Sequence, residues 1–344
     1  MTDERRFIAE WEPQSAVMIA WPHKDTDWAY MLDEVEECYS NVAKAILQYE
    51  NLIILTCDAN HVKSILGDNH KHNITYLNII TNDTWCRDLG GITIETNEGN
   101  AVCDFKFNAW GGKFNWELDN QVTSKMDKLG VFDCKVIDCN DFILEGGSIE
   151  TDGEGTLLVT SQCLLTPTRN PHMNKEQIET YLKETFGVSK VLWLDFGAFA
   201  GDDTDSHIDT LARIAPNNSI IYAGCDDNED EHYNELKSME EQLATFTTAN
   251  NQPYKLYKLP FPDATYDEDG ERLPATYANY LIVNNAVLVP TYNQPEKDKE
   301  ALAVVKEVFP DHDIVGVNCN ALIKQHGSLH CITMQFPTNV FKNI

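Results

Sequence analysis

One order of secondary-structure elements recurs along the chain and constrains its fold more than any other feature of the sequence. From Leu89 onwards the pattern predicts a strand, a turn, a second strand, a helix and a third strand. GGITIET and AVCDFKF are the two hairpin strands, a helix follows near 117–129, and CKVID is the third strand. The same order returns after Glu145, after His207 and after Asn279. In the unit after His207, DTLARIA at 209–215 is the first strand and a long acidic helix is predicted near 229–246. Four copies indicate a repeat architecture rather than an irregular α/β domain.

A fifth unit is divided between the two ends of the sequence. Its predicted parts are HCITMQF at 330–336, SAVMIAW at 15–21, a helix near 33–48 and LIILTC at 52–57, with an additional helix and strand in 58–80. A unit built from both ends closes a ring of repeats. We therefore expect an α/β fold, a five-bladed α/β-propeller: a pseudo-fivefold ring of ββαβ units, with the last blade closed by the N- and C-termini. All of 1–344 would form a single domain.

Charge and cysteine content narrow the class of protein. The formal net charge is −29, from 26 Lys and Arg against 55 Asp and Glu, which disfavours nucleic acid and anionic membranes as partners. Ten cysteines without a CxxC pair predict reduced thiols and a cytoplasmic protein. The segment MTDERRFIAEWEP lacks the apolar stretch of a signal peptide, and no apolar run is long enough to span a membrane. A homo-oligomer remains compatible with the sequence.

Residues able to do chemistry precede the first strand of every predicted unit. They are Arg87 with Asp88, Glu145, His207 with Asp209, Asn279, and Cys331. Equivalent positions in a ring of like units converge on its axis. A nucleophile, a base, carboxylates and an amide would then share one pocket, as in an active site.

The segment QHGSLHC, 325–331, places His330 directly beside Cys331. The two could form a nucleophile–base pair, part of a metal site, or the end of a buried strand. Because side chains alternate along a strand, a Cys331 that faces the pocket leaves His330 on the opposite face, so His207 is the better candidate base. His326, His330 and Cys331 lack a fourth ligand and match no common zinc spacing. No metal is therefore predicted.

Two further segments have both a structural and a functional interpretation. GDDTDSHIDT, 201–210, would be unremarkable as a solvated acidic loop. Paired glycines in LEGGSIE and WCRDLGG indicate tight turns or a close approach of the backbone to another group. Arg87 and Asp88 could also be a buried structural ion pair.

Six ordered blocks resemble those of agmatine deiminases, a branch of the guanidino-group modifying enzymes related to bacterial-type peptidylarginine deiminases. The blocks are EWEPQSAVMIAWP (10–22), TWCRDLGG, LEGGSIE, DGEGTLLVTSQCLLTPTRNP (152–171), GDDTDSHID (201–209) and HGSLHCITMQFP (326–337). The resemblance covers nearly the whole chain. It implies the five-bladed α/β-propeller and the hydrolysis of agmatine to N-carbamoylputrescine and ammonia, towards putrescine. The residue after GGSI is usually His in these enzymes and is Glu150 here.

The resemblance implies a role for each converging side chain. Cys331 attacks the guanidinium carbon as a thiolate and forms a covalent S-alkylthiouronium intermediate. His207 is the general acid and base. Asp88 and Asp209 hold the guanidinium nitrogens, and Glu145 orients His207 or helps to bind the guanidinium. No metal or organic cofactor is required.

The far end of agmatine is a primary ammonium, for which Asp203 and Asp205 are candidate partners. Trp85 is a candidate wall for the alkyl chain, and the charged segment 264–277 could cover the pocket. Trp110 is expected to be a packing residue, and Asn279 could either fix the backbone or touch the substrate. Two alternatives stay open: deimination of peptidylarginine or free arginine on the same fold, and a non-catalytic propeller that binds polyamines.

Overall fold

The computed structural model describes residues 4–342. The strands of this part are β1 (Arg5–Phe7), β2 (Gln14–Ala20), β3 (Asn51–Leu55), β4 (Ile74–Leu77), β5 (Ile92–Thr96), β6 (Gly99–Lys106), β7 (Lys135–Ile143), β8 (Ile149–Thr151), β9 (Thr156–Thr160), β10 (Lys190–Leu194), β11 (Ala212–Ala215), β12 (Ser219–Ala223), β13 (Lys255–Leu259), β14 (Leu281–Val283), β15 (Ala286–Thr291), β16 (Asp313–Asn318) and β17 (Thr333–Pro337).

The α-helices of the same part are α1 (Leu32–Ile46), α2 (Ala59–Leu66), α3 (Cys86–Leu89), α4 (Ala109–Gly112), α5 (Val122–Lys128), α6 (Ser161–Leu164), α7 (Lys175–Phe186), α8 (Ile208–Leu211), α9 (Tyr233–Leu243), α10 (Pro295–Val308) and α11 (Asn320–Ile323). Short 3-10 turns cover Asp27–Met31, Asp119–Gln121 and Gly146–Ser148. None of the described helices is long and apolar enough to cross a membrane.

The strands form five separate open sheets with one shared design. Their orders are β1-β5-β6-β7, β10-β9-β8, β11-β12-β13, β14-β15-β16 and β17-β2-β3-β4. In each sheet two strands pair antiparallel, and a third strand pairs parallel with the second of them. For example, β14 pairs antiparallel with β15, and β15 pairs parallel with β16. A helix precedes the parallel strand because a parallel connection needs a crossover. The mixed α/β class is confirmed, and the predicted ββαβ order recurs in every sheet.

The fifth sheet joins the two ends of the sequence, as predicted. Strand β17 pairs antiparallel with β2, with Thr333 opposite Ile19 and Met334 opposite Met18. Strand β3 then pairs parallel with β2, and β4, from the additional helix and strand in 58–80, extends the sheet.

Several predicted strands begin later than expected, since a short helical turn occupies their first residues. The turns are the 3-10 turn at Gly146–Ser148 and helix α8, whereas helix α3 ends at Leu89, before the predicted strand GGITIET begins. The predicted strand at 209–215 therefore starts only at Ala212, and the predicted strand at 330–336 starts only at Thr333. The helices predicted near 117–129 and 229–246 are shorter than expected, at Val122–Lys128 and Tyr233–Leu243.

Helix α7 follows its sequence signals closely. Asn174 and Gln177 form a complete capping box, and Gly187 ends the helix in the left-handed conformation at φ 66°. In contrast, β1 was not predicted. It pairs antiparallel with β5 and brings the segment around Glu10 into the middle of the molecule.

Candidate active site

The residues that precede the five hairpins contact one another in a closed series. Asp88 accepts from the Gly147 N–H at 3.0 Å, and a side chain on Gly147 would meet His207 and Asp209. The Asn279 amide donates to Asp209 O at 3.4 Å, and its Oδ1 lies 3.3 Å from Cys331 Sγ. The Arg87 N–H donates to Cys331 O at 3.1 Å and completes the series. All five units therefore contribute to one site.

A pocket of about 450 Å³ opens onto this site. Its lining residues are Asp27, Asp83, Trp85, Asp88, Trp110, Phe114, Asp203, Thr204, Thr210, Gln325, His326, Gly327 and Cys331. Cys331 and Asp88 are buried, whereas Asp27 is exposed and Asp203 half-buried. The lining is aromatic and acidic and contains no lysine or arginine.

Cys331 is the thiol of this pocket, and Asn279 fixes its position. Asn279 Oδ1 accepts from the backbone N–H groups of His330 at 2.9 Å and Cys331 at 3.2 Å, and from the thiol. Burial raises the pKa of the Cys331 thiol well above its ordinary value, and the charges of Asp209 and Asp88 raise it further. The thiol is therefore protonated in the free protein. The sequence had left open whether Asn279 binds the backbone, which it does.

Asp88 presents a fixed, buried carboxylate. Its Oδ1 accepts from Gly147 N and its Oδ2 from Trp110 Nε1, both at 3.0 Å. Burial, with the charges of Asp209 and Glu145, raises the pKa of Asp88 to about 6. Trp110, which the sequence indicated only as a packing residue, both lines the pocket and orients Asp88. Arg87 does not pair with Asp88: its guanidinium lies against His330 O and Met334 Sδ.

His207 is buried beside three groups that favour its protonated form. Its Nδ1 lies 3.7 Å from Asp88 Oδ1. Burial disfavours a positive charge on the imidazole. The charges of Asp88 and Glu145 and a hydrogen bond with Cys163 outweigh burial, so the pKa of His207 lies well above its ordinary value. An imidazolium that lies beside Asp88 is a ready proton donor. Cys163 was not predicted, and nothing distinguishes it in the sequence from the other buried cysteines.

Glu145 is bound by an arginine that the sequence did not single out. Arg169 Nε lies 3.0 and 3.1 Å from the two Glu145 oxygens, and both side chains are fully buried. Arg169 also donates to Asp205 at 2.6 Å and to Thr204 O at 2.8 Å. Arg169 lies within the block 152–171 that resembles the deiminases, which was the only signal for it. The arginine therefore joins Glu145 to the acidic loop.

The four aspartates of the acidic loop have four different environments. Asp202 accepts from Thr204 and Ser206 and shapes the turn. Asp203 lines the pocket, and burial raises the pKa of its carboxyl. Asp205 pairs with Arg169 and, at 3.3 Å, with Lys113, and does not line the pocket. Asp209 is completely buried.

His330 and Cys331 are adjacent in sequence but line different cavities. Strand alternation does not explain this separation. Residues 330–331 are in a turn that precedes β17. Cys331 lines the pocket described above, whereas His330 lines a second cavity of about 600 Å³ with Glu10, Arg87 and Glu150. The two side chains therefore line different cavities, and the predicted strand at residues 330–332 was wrong.

Two described groups of side chains have metal-ligand chemistry: Glu145 with Cys163 and His207, and Glu10 with Glu150 and His330. The carboxylate of Glu145 is bound by Arg169, and those of Glu10 and Glu150 are bound by Arg213. Each carboxylate already has a cationic partner supplied by the protein itself.

Trp85 stands at one wall of the pocket. A side chain on Gly327 would lie 2.1 Å from its indole, so this glycine allows the 325–327 segment to pack flat against the ring. The 264–277 segment, considered as a cover, contributes no lining residue to the pocket. Ala264, Leu273 and Ala275 instead line a separate cavity.

With this geometry established, comparison with known proteins identifies the family. The sequence model of the Porphyromonas-type peptidyl-arginine deiminases matches residues 6–337. This chain belongs to that family. Agmatine deiminase from Ectopseudomonas mendocina is 33% identical over 354 residues, covering 96% of this chain and 94% of the relative.

Solved structures of this deiminase family superpose along nearly the whole chain. A Porphyromonas gingivalis protein, provisionally assigned as an arginine deiminase, has a TM-score of 0.93 and 47% identity and covers 98% of this chain and 100% of its own. A cysteine-to-serine variant of C. jejuni agmatine deiminase with substrate bound has a TM-score of 0.90 and 39% identity, with coverage of 99% and 97%. The resemblance inferred from the six blocks is thus confirmed.

Proposed function

We propose that this protein hydrolyses agmatine to N-carbamoylputrescine and ammonia, a step towards putrescine. One observation carries the proposal: the pocket joins a buried cysteine and Asp88 to a more exposed acidic part with Asp27, Asp83 and Asp203. A guanidinium fits the first part and a primary ammonium the second. An α-carboxylate would meet like charges and no lysine or arginine.

Substrate binding prepares the nucleophile. The guanidinium binds Asp88 and Asp209 and neutralises the two charges that raise the pKa of Cys331. The thiolate then becomes accessible at neutral pH, when the carbon it must attack is in place. Orientation of this kind lowers a barrier by about 7–11 kcal/mol.

His207 completes both half-reactions. The Cys331 thiolate forms a C–S bond, and the C–N bond breaks as His207 donates a proton to the departing ammonia. This leaves the S-alkylthiouronium intermediate. His207 then removes a proton from water, the resulting hydroxide attacks the same carbon, and the C–S bond breaks to release the ureido product and the thiolate.

The remaining candidate residues support this chemistry. Asp203 is the proposed partner of the distal ammonium, because it lines the pocket. Asp205 acts with it only indirectly, since its carboxylate is bound by Arg169 and Lys113. Glu145 supports the charge of His207, and Trp85 forms a wall for the alkyl chain.

We also propose that the five sheets surround one axis as a five-bladed α/β-propeller, in a single catalytic domain. The shared strand order and the closed series of contacts among the five pre-hairpin segments support this arrangement. A cytoplasmic location is supported by ten cysteines, all of them unpaired.

The decisive measurement is ammonia release from agmatine by the wild type and by Cys331→Ser. We expect turnover by the wild type and a loss of at least about 1000-fold in the variant, because a serine hydroxyl is a far weaker nucleophile here. Cys57→Ser, at an exposed cysteine, is the matched control and should stay fully active. Substantial turnover by Cys331→Ser, or agmatine binding without product in the wild type, would refute the proposal.

The family name and the Porphyromonas gingivalis structure make arginine the second candidate substrate. Agmatine, free arginine and an arginyl peptide should therefore compete in one ammonia assay. We expect agmatine to have the highest kcat/KM. A higher value for arginine or the peptide would assign the protein to the alternative activity.

A further inference from the structure

We propose that His330 is a positioning residue for the reaction: its Nδ1–H holds one oxygen of Asp209, so that the other oxygen is left for the substrate. The inference rests on the proposed function and adds a role for the histidine next to the nucleophile. His330 Nδ1 lies 2.7 Å from Asp209 Oδ2, and both side chains are buried. Asp209 Oδ1 is buried and has no hydrogen-bond partner within residues 4–342.

An unpartnered oxygen on a buried carboxylate is costly unless a ligand donates to it. A guanidinium N–H is the donor that the proposed reaction brings. The hydrogen bond from His330 is the leading interaction that, against the effect of burial, keeps the pKa of Asp209 below its ordinary value. Asp209 is therefore ionised before the substrate arrives.

The imidazole is itself fixed from behind. His330 Nε2 lies 3.0 Å from Arg213 Nη2 and 2.8 Å from Glu10 Oε2. Arg213 is bound by Glu10 and Glu150. Since a carboxylate only accepts, Nδ1 must carry the proton towards Asp209 in every protonation state that keeps this contact.

This arrangement reaches the site from the face opposite the substrate pocket. Glu10 follows β1, and its Oε1 also accepts from Ile282 N at 2.8 Å in the fourth sheet. The N-terminal segment thus fixes the His330 ring through Glu10, and the His330 ring fixes the Asp209 carboxylate. His330 acts only through that carboxylate and does not contact the reacting atoms.

Two substitutions separate positioning from simple packing. In His330→Asn the amide N–H replaces the Nδ1 donor to Asp209, whereas in His330→Gln the amide reaches the Nε2 position and the donor to Asp209 is lost. We expect His330→Asn to keep kcat/KM for agmatine within about threefold and His330→Gln to lose about 10- to 100-fold, mainly in kcat. The Tm values of the two variants should be equal. A purely structural histidine would instead give equal losses in both variants, with a parallel fall in Tm.

A double-variant cycle with Asp209→Asn tests whether the effect passes through Asp209. In the Asp209→Asn background we expect His330→Gln to lower kcat/KM by less than about threefold, because the carboxylate that His330 positions is absent. Independent, additive losses would overturn the proposal.

One measurement needs no turnover and so separates this inference from the proposed function. Nitrogen-15 NMR of the histidine rings should show a proton on Nδ1 of His330 in the free protein, and its signal should move in Asp209→Asn. An Nδ1 without a proton refutes the positioning role even if agmatine is hydrolysed. If the wild-type protein releases no ammonia from agmatine, the proposed function is refuted but the positioning role of His330 is not.

Discussion

Two carboxylates and a thiol share one buried space at the centre of this protein, and their charges are mutually unfavourable. Burial and the neighbouring carboxylates raise the pKa of Cys331, and burial also raises that of Asp88 to about 6. A guanidinium relieves both effects, because it is positive and donates to carboxylates. In the proposed mechanism the substrate therefore contributes to the ionisation of Cys331, the residue that attacks it.

The raised pKa of Asp88 predicts an acid limb in the pH profile. Below pH 6 the folded protein holds Asp88 as a neutral acid, which binds a guanidinium poorly. We expect kcat/KM for agmatine to fall more steeply with decreasing pH below about 6 than above it, by about one additional factor of ten per pH unit. Steady-state kinetics between about pH 4.5 and about pH 8 would measure this fall.

Asp88→Asn is the control for this assignment. The variant should be slow throughout and should lack the limb near pH 6. An unchanged limb in Asp88→Asn would assign the titration to another group.

At the residue scale the sequence identifies the reacting groups but not their supports. Asp88, His207, Asp209 and Cys331 were recognisable from their chemistry and their place before each hairpin. Arg169, Cys163 and Trp110 were not, since a buried guanidinium, thiol or indole is defined by partners distant in sequence.

Short helical turns, rather than the strands themselves, deliver these side chains. Helix α3, the turn at Gly146–Ser148 and helix α8 each interrupt the approach to a hairpin. The sequence predicted strands at the second and third of these places, because paired glycines and a run such as DTLARIA are compatible with both conformations. Helix α7 was predictable because its capping box and terminal glycine are local signals. The turns depend on contacts between units.

A substitution at Gly147 would test how closely the turn at Gly146–Ser148 approaches the side chains of the site. A Cβ at this position would lie 2.7 Å from His207 Nδ1, 3.0 Å from Asp88 Oδ1 and 3.1 Å from Asp209 Oδ2. We expect Gly147→Ala to lower kcat/KM by about 100-fold, because displacements near 1 Å have that effect. Ammonia release and Tm would be measured together.

Gly316→Ala, in β16, is the matched control. Its added methyl meets a Thr291 methyl at 3.0 Å and touches none of the site residues. It should lower Tm at most and leave kcat/KM unchanged. A fully active Gly147→Ala would show that the turn is farther from the chemistry than the geometry indicates.

The whole molecule carries a net charge of −29 and offers an acidic pocket to a doubly charged cation. Long-range attraction should therefore assist encounter with agmatine. We expect kcat/KM to fall about two- to fivefold as the ionic strength rises from low salt to about 0.3 M, with kcat constant. Sodium and potassium chloride should act alike. A kcat/KM that does not respond to salt would show that the surface charge has no part in capture.

The closure of the fifth sheet also has a consequence for biosynthesis. Strand β2 cannot complete its antiparallel pairing until Thr333–Pro337 has been made, and Cys331 is made only just before it. Units that include Asp88, Glu145 and His207 can begin to fold while the polypeptide is still on the ribosome. A nascent chain can thus fold the units that carry Asp88, Glu145 and His207 before Cys331 has been made. An incomplete translation product therefore lacks the proposed nucleophile.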